Sequence, residues 1–70
     1  MTVEETIILD FLKAAPESAF ARKEIARRAV KRTVFEENPR WVDAPLNALL
    51  HKKLVLLNDS GHYQFAKAAS

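Results

Sequence analysis

The sequence predicts a mainly α-helical fold with a small β-hairpin, an α+β class, in the order helix, helix, helix, strand, strand. Leucines in LNALLHKK (46–53) recur at helical spacing, whereas aromatic residues in GHYQF (61–65) alternate with polar residues as in a strand. Between these segments, NDSG (58–61) is typical of a hairpin loop, because Gly61 can adopt a positive φ without a steric clash. A helix is therefore followed directly by a hairpin.

Length and composition limit the chain to one small domain, which we assign to residues 1–70. A domain of 70 residues buries only about 60% of its unfolded surface, and without cysteine it has no disulfide to supplement the core. Its 49% apolar and 29% charged residues are typical of a folded, soluble domain. The net charge is only +2, from 11 basic and 9 acidic residues, so binding to nucleic acid depends on where the charges lie.

The first helix is predicted over about residues 2–15. Thr2 and Glu5 have the spacing of a capping box, which marks its start, and Pro16 ends it because the residue before a proline avoids the α region. Its apolar residues cover an arc of roughly 200°, wider than one buried stripe needs. Either the helix packs against two other elements or it contributes to a homodimer interface. The arc comprises Ile7, Ile8, Leu9, Phe11, Leu12 and Ala15.

A connector with Phe20 as its inward anchor follows, and its backbone can pair with the later hairpin as a short extra strand near residues 18–21. The second helix is predicted over about residues 22–31. Its narrow apolar face consists of Ile25, Ala26, Ala29 and Val30. Six of the chain's 11 basic residues cluster in the same segment: Arg22, Lys23, Arg27, Arg28, Lys31 and Arg32.

Residues 33–42 combine β-branched, aromatic and acidic residues, and we predict a structured loop. Pro45 argues against a continuous helix from Pro39. Trp41, the single tryptophan, is predicted to be a core or interface anchor, although it could also stack on a base.

The third helix is predicted over about residues 43–53, with Asp43 as its N-cap. Pro45 then falls in the first turn, where its missing N–H costs little. The hairpin is predicted over about residues 54–66, and Tyr63 and Phe65 are expected to pack onto the first helix.

Taken together, the basic segment RKEIARRA, the segment LLHKKLV and the closing GHYQF resemble a winged helix-turn-helix domain over most of the chain. The resemblance implies DNA binding and a role in transcription regulation. It also implies that the third helix enters the major groove, the second crosses the phosphates and the hairpin serves as a wing. Lys53 stands where that family often has glycine, so either it adopts the left-handed region or the helix ends differently.

On the third helix, Asn47, His51 and Lys52 fall opposite the leucine face, where asparagine can bind adenine and lysine can reach guanine or phosphate. Arg40, just before this helix, can bind a phosphate. Each of these side chains also fits an ordinary solvated surface. The candidate nucleic-acid-binding residues are Arg22, Lys23, Arg27, Arg40, Asn47, His51 and Lys52.

The alternative function is a winged-helix module that binds another protein without binding DNA. Its surface would be the hairpin edge and the acidic 33–42 segment. The predicted wing contains Asp59 and no lysine or arginine, which favours this alternative.

Enzymatic function is not expected. The chain has no cysteine nucleophile, and its one glycine lies in the hairpin, so no phosphate-binding loop exists. His51 and His62 lie on different elements without a third ligand, so we expect neither a metal site nor a cofactor. No apolar run is long enough to cross a membrane and the start is acidic, so we expect a cytoplasmic protein without a membrane partner.

Overall fold

The computed structural model describes residues 2–66, so Met1 and residues 67–70 of the predicted domain lie outside the described residues. Four helices pack with one three-stranded antiparallel sheet, as the α+β class requires. The elements are α1 (Val3–Lys13), β1 (Ala19–Ala21), α2 (Arg22–Arg28), α3 (Arg32–Glu37), α4 (Asp43–His51), β2 (Val55–Leu57) and β3 (His62–Phe65). No helix among residues 2–66 is long and apolar enough to cross a membrane.

The start of α1 confirms the predicted capping box. The Glu5 amide donates to Thr2 Oγ1 at 3.1 Å, and the Thr2 amide donates to Glu5 Oε1 at 2.8 Å. Two of the helix's free amides are thereby satisfied. The helix ends at Lys13, two residues before the predicted boundary, and the Ala15 amide bonds instead to Leu12 O at 3.2 Å in a turn.

The sheet has the order β1-β3-β2, so the last strand lies in the middle. The short extra strand predicted near residues 18–21 is confirmed as β1, which pairs Phe20 with Tyr63 of β3. On its other side β3 pairs with β2, and Leu56 lies opposite Gln64. Phe20 contacts Phe11 of α1, with ring centroids 5.0 Å apart, as expected of an inward anchor.

The prediction for residues 29–42 is wrong in two respects. The second helix ends at Arg28 rather than near residue 31, and residues 33–37 of the predicted loop belong to the separate helix α3, which begins at Arg32. An ion pair at i, i+4 spacing, between Arg32 Nε and Glu36 Oε2 at 2.8 Å, supports this short helix. None of its residues is fully buried, so it lacks the apolar stripe that reveals a helix in sequence.

The helix α4 begins one residue earlier than the predicted N-cap implies. Val42 is the N-cap and Asp43 is the first helical residue, so the assignment of Asp43 as N-cap is wrong. The Leu46 amide bonds to the Val42 carbonyl at 2.8 Å, which sets this register.

The C-terminal end of α4 is closed by a left-handed residue. Lys53 adopts φ 63°, so of the two alternatives expected at this position the left-handed conformation is the one observed. Its amide bonds to Leu50 O and the next amide, of Leu54, bonds to Leu49 O, both at 3.0 Å. These two bonds form a Schellman motif, which turns the chain sharply into β2 and ends α4 at His51, before the predicted limit near residue 53.

The core lies between α1, α2, α4 and the inner face of the sheet. Its fully buried large side chains are Ile8, Leu12, Ile25, Val42, Leu46, Leu49 and Val55. None of the six residues of the broad apolar arc of α1 is exposed. Contacts with α4 and β3 therefore cover much of the arc within one chain.

Candidate nucleic-acid interface

The outward face of α4 carries Asn47 and His51, both exposed. The opposite face of the same helix carries Leu46 and Leu49, which are fully buried. Ala44, also exposed, adds a small side chain to the outward face. Because a helix has 3.6 residues per turn, the spacing that buries the leucines places Asn47 and His51 in solvent.

Arg22, the first residue of α2, joins three elements. Its Nη2 donates to the Tyr63 hydroxyl at 2.6 Å and its Nη1 lies 3.4 Å from Asp43 Oδ1, on α4. The guanidinium also lies over the Tyr63 ring, 5.6 Å from its centroid. The hydrogen bond to Tyr63, and to a lesser extent the Asp43 carboxylate, raises the pKa of Arg22. These contacts hold the guanidinium in place.

A second contact fixes the loop before α4 against α2. Trp41 Nε1 donates to the Ala26 carbonyl at 3.1 Å, and the ring packs against the core. The predicted role of Trp41 as an anchor is confirmed. Arg40 and Arg27, the chain neighbours of the two bonded residues, are both exposed.

An open groove of about 1100 Å³ lies between α2 and α3, and we refer to it as the α2–α3 groove. It is lined by four cations and two carboxylates together with Ala21 and Phe35: Lys23, Arg27, Arg28, Arg32, Glu24 and Glu36. Each carboxylate pairs with one arginine, Glu24 with Arg28 at 3.0 Å and Glu36 with Arg32 at 2.8 Å.

Two of the four cations of the α2–α3 groove are not part of these ion pairs. Among residues 2–66, neither Lys23 nor Arg27 has a hydrogen bond or an ion pair to another side chain. Both are exposed. They are therefore the groove's uncompensated positive charge.

Lys52 does not join this surface. Its ammonium turns toward α1 and donates to Glu5 Oε1 at 3.1 Å, and the Glu5 side chain is only 6% exposed. The carboxylate also accepts the Thr2 amide of the capping box. Lys52 thus ties the end of α4 to the start of α1, although sequence spacing grouped it with Asn47 and His51.

This contact makes stability depend on pH. The hydrogen bond from the Thr2 backbone, and then the one from Lys52, lowers the pKa of Glu5 below its ordinary value of 4.5. A carboxyl whose pKa is lowered by folding stabilises the fold above its unfolded pKa, and that contribution is lost as pH falls through the folded pKa.

We therefore expect the urea midpoint of Glu5→Gln to fall less steeply than that of the natural sequence between about pH 5 and pH 2. Circular dichroism at a series of pH values measures it. Glu4→Gln, at an exposed neighbouring position, is the control and should keep the natural slope. Equal slopes for Glu5→Gln and the natural sequence would contradict the assignment.

The hairpin loop carries no cation. Asn58 Oδ1 accepts the Ser60 and His62 amides, each at 2.9 Å, and Gly61 has φ 82°. Asp59 is exposed at the tip, and residues 55–65 contain no lysine or arginine. A phosphate contact from this tip is electrostatically unfavourable.

Comparisons of this chain with protein-family models, with curated proteins and with solved structures find no match. No group of three or more histidine, cysteine or acidic residues that could hold a metal ion occurs within residues 2–66. The exposed face of α4 and the unpaired cations of α2 are therefore the basis for assigning a function.

Proposed function

We propose that this chain is a winged-helix protein that binds double-stranded DNA in the cytoplasm. In this proposal α4 enters the major groove, α2 lies along the phosphate backbone and the β2–β3 hairpin is the wing. The main support is the combination of two unpaired cations on α2, Lys23 and Arg27, with a helix α4 whose outward side chains include Asn47 and His51. The Arg22–Asp43 and Trp41–Ala26 contacts hold the two helices in this relation.

Base recognition is assigned to α4. The major groove of B-DNA is about 12 Å wide and admits a helix, and an asparagine can bind adenine N6 and N7 with two hydrogen bonds. Asn47 is exposed and we assign this contact to it, while the short side chain of the exposed Ala44 would let the helix approach thymine methyl groups. His51 lies one turn further along the same face.

Phosphate binding is assigned to Lys23, Arg27 and Arg40, whose side chains are exposed and without an ion-pair partner among the described residues. Arg22 adds a fourth cation that is already oriented by Tyr63. Lys52 is not assigned a phosphate contact, because its ammonium is bound to Glu5. Counting only the three cations without an ion-pair partner, three phosphate contacts correspond to a slope of log K against log salt of about −2.7.

A fluorescence-anisotropy titration with a generic DNA duplex tests the proposal. Between about 50 mM and 200 mM salt, a slope of −2.7 corresponds to an affinity loss of about 40-fold. Either Lys23→Glu or Arg27→Glu should weaken binding at low salt and reduce the magnitude of the slope by about 0.9, since each removes one phosphate contact.

Lys13→Glu is the matched control, because it makes the same charge change at the end of α1, outside the α2–α3 groove. It should affect binding less than Lys23→Glu does. Absence of binding at the lower salt concentration would refute the proposal. Equal losses for Lys13→Glu and Lys23→Glu would refute the assigned surface.

A further inference from the structure

The strand β2 is an edge of the sheet, and its outer backbone groups have no partner among residues 2–66. On the inner side, the Ala66 amide bonds to Leu54 O at 3.1 Å and the Asn58 amide bonds to His62 O at 2.9 Å. In an antiparallel pair, the backbone N–H and C=O groups of every second residue point toward the partner strand. Leu56 therefore faces β3 with its N–H and C=O, whereas those of Val55 and Leu57 point outward.

The side chains of this edge are apolar. Leu56 is 51% exposed and Leu57 is 50% exposed, which makes them two of the four exposed large apolar residues among those described. An edge strand with open backbone groups and exposed leucines is a template for another strand. Natural edges are commonly protected by a charge or a proline, and β2 has neither within Val55–Leu57.

The unpaired backbone N–H and C=O groups of Val55 and Leu57 favour one antiparallel register with a second copy of β2. If Leu56 lies opposite Leu56 of the other copy, Val55 lies opposite Leu57 at both ends. Both of these are pairs of outward-facing residues, so four backbone hydrogen bonds form. Shifting the two-fold axis to Val55 or Leu57 leaves only one such pair within β2, with two bonds.

Charge supports the same register. Lys53 precedes β2 by two residues and Asp59 follows it by two, and both are exposed without an ion-pair partner among the described residues. The two-fold axis at Leu56 brings Lys53 of each copy toward Asp59 of the other. Within one chain, the two charges lie at opposite ends of the strand, so only a second copy can pair them.

We propose that β2 is the homodimer interface of this chain, and that two copies join their sheets into one six-stranded sheet around an axis at Leu56. The proposal does not depend on DNA binding. The shared surface is one three-residue strand with its flanking charges, well below the roughly 1,200 Å² of a stable interface. The dimer should accordingly be weak, with a dissociation constant between about 1 µM and 1 mM.

Sedimentation equilibrium over a series of concentrations measures the association. The mass should rise from 7.9 kDa toward twice that value. Amide hydrogen exchange by NMR then locates the interface: exchange at Val55 and Leu57 should slow as concentration rises. The Leu56 amide faces β3 in the monomer, so its exchange serves as the internal control and should change little.

Two sets of variants test the register. Leu56→Lys places two like charges across the axis and should abolish dimerisation, while circular dichroism confirms that the exposed position tolerates the change. Lys53→Asp and Asp59→Lys should each weaken the dimer at least several-fold. The double variant carrying both changes should recover much of the natural affinity, because it restores opposite charges between copies.

A mass that stays monomeric up to about 1 mM would overturn the proposal, since that concentration is the weak limit given above. Association with unchanged exchange at Val55 and Leu57 would also overturn it, because the copies would then meet elsewhere, for example at α1. Failure of the charge exchange to restore affinity would reject this register.

Discussion

Replacing Leu49 with alanine is expected to lower the free energy of unfolding by about 2 to 5 kcal/mol, the range for deletion of a buried leucine. Leu49 is fully buried in α4, where α1 packs against it. At about 0.05 to 0.15 kcal/mol per residue, a domain of this size has a total stability of only about 3.5 to 10 kcal/mol. The substitution therefore removes a large share of it.

Urea denaturation of dilute protein, followed by circular dichroism, measures this loss. Val3→Ala is the control, because Val3 is 73% exposed in α1 and its truncation should change stability by no more than about 0.5 kcal/mol. Similar midpoints for the two variants would show that the core is not where the structure places it.

The second large loss is expected for Trp41→Ala, at about 2 to 4 kcal/mol. This is somewhat less than for a fully buried tryptophan, because Trp41 is only half-buried. The ring packs against the core, and its Nε1 satisfies the Ala26 carbonyl near the end of α2. Ala26 is 1% exposed, so water does not readily replace the lost donor.

Trp41→Phe separates the two contributions, because phenylalanine retains most of the ring and removes the N–H. We expect it to cost about 1 to 3 kcal/mol, the range for a buried acceptor left unsatisfied. Thermal unfolding by circular dichroism compares both variants with the natural chain. If Trp41→Phe is as stable as the natural chain, the hydrogen bond to Ala26 contributes nothing.

Elements with a local signal were predictable from sequence. The Thr2–Glu5 capping box depends on residues three positions apart, and the hairpin depends on a four-residue loop with glycine at its end. The helix α3 has no such signal. It buries no residue fully, and no side chain caps its start. The Arg32–Glu36 ion pair supports it instead. Without an apolar stripe or a cap in the sequence, its β-branched and aromatic residues suggested a loop.

The candidate site was predictable only in part. Helical spacing identified Asn47 and His51 as outward-facing, because burial of the leucines determines the opposite face. Partners distant in sequence were not predictable. Lys52 binds Glu5 across 47 positions and Arg22 binds Tyr63 across 41 positions, and no periodic pattern in a single sequence reports such pairs.

The middle position of β3 has a consequence during synthesis. β1 and β2 precede β3 in the chain, and neither pairs with the other. A nascent chain that has not yet released residues 62–65 from the ribosome consequently has no strand pairing at all. Once β3 is free, its pairing with β2 closes only the short hairpin loop, whereas its pairing with β1 closes a long loop, so we expect β1 to join the sheet last.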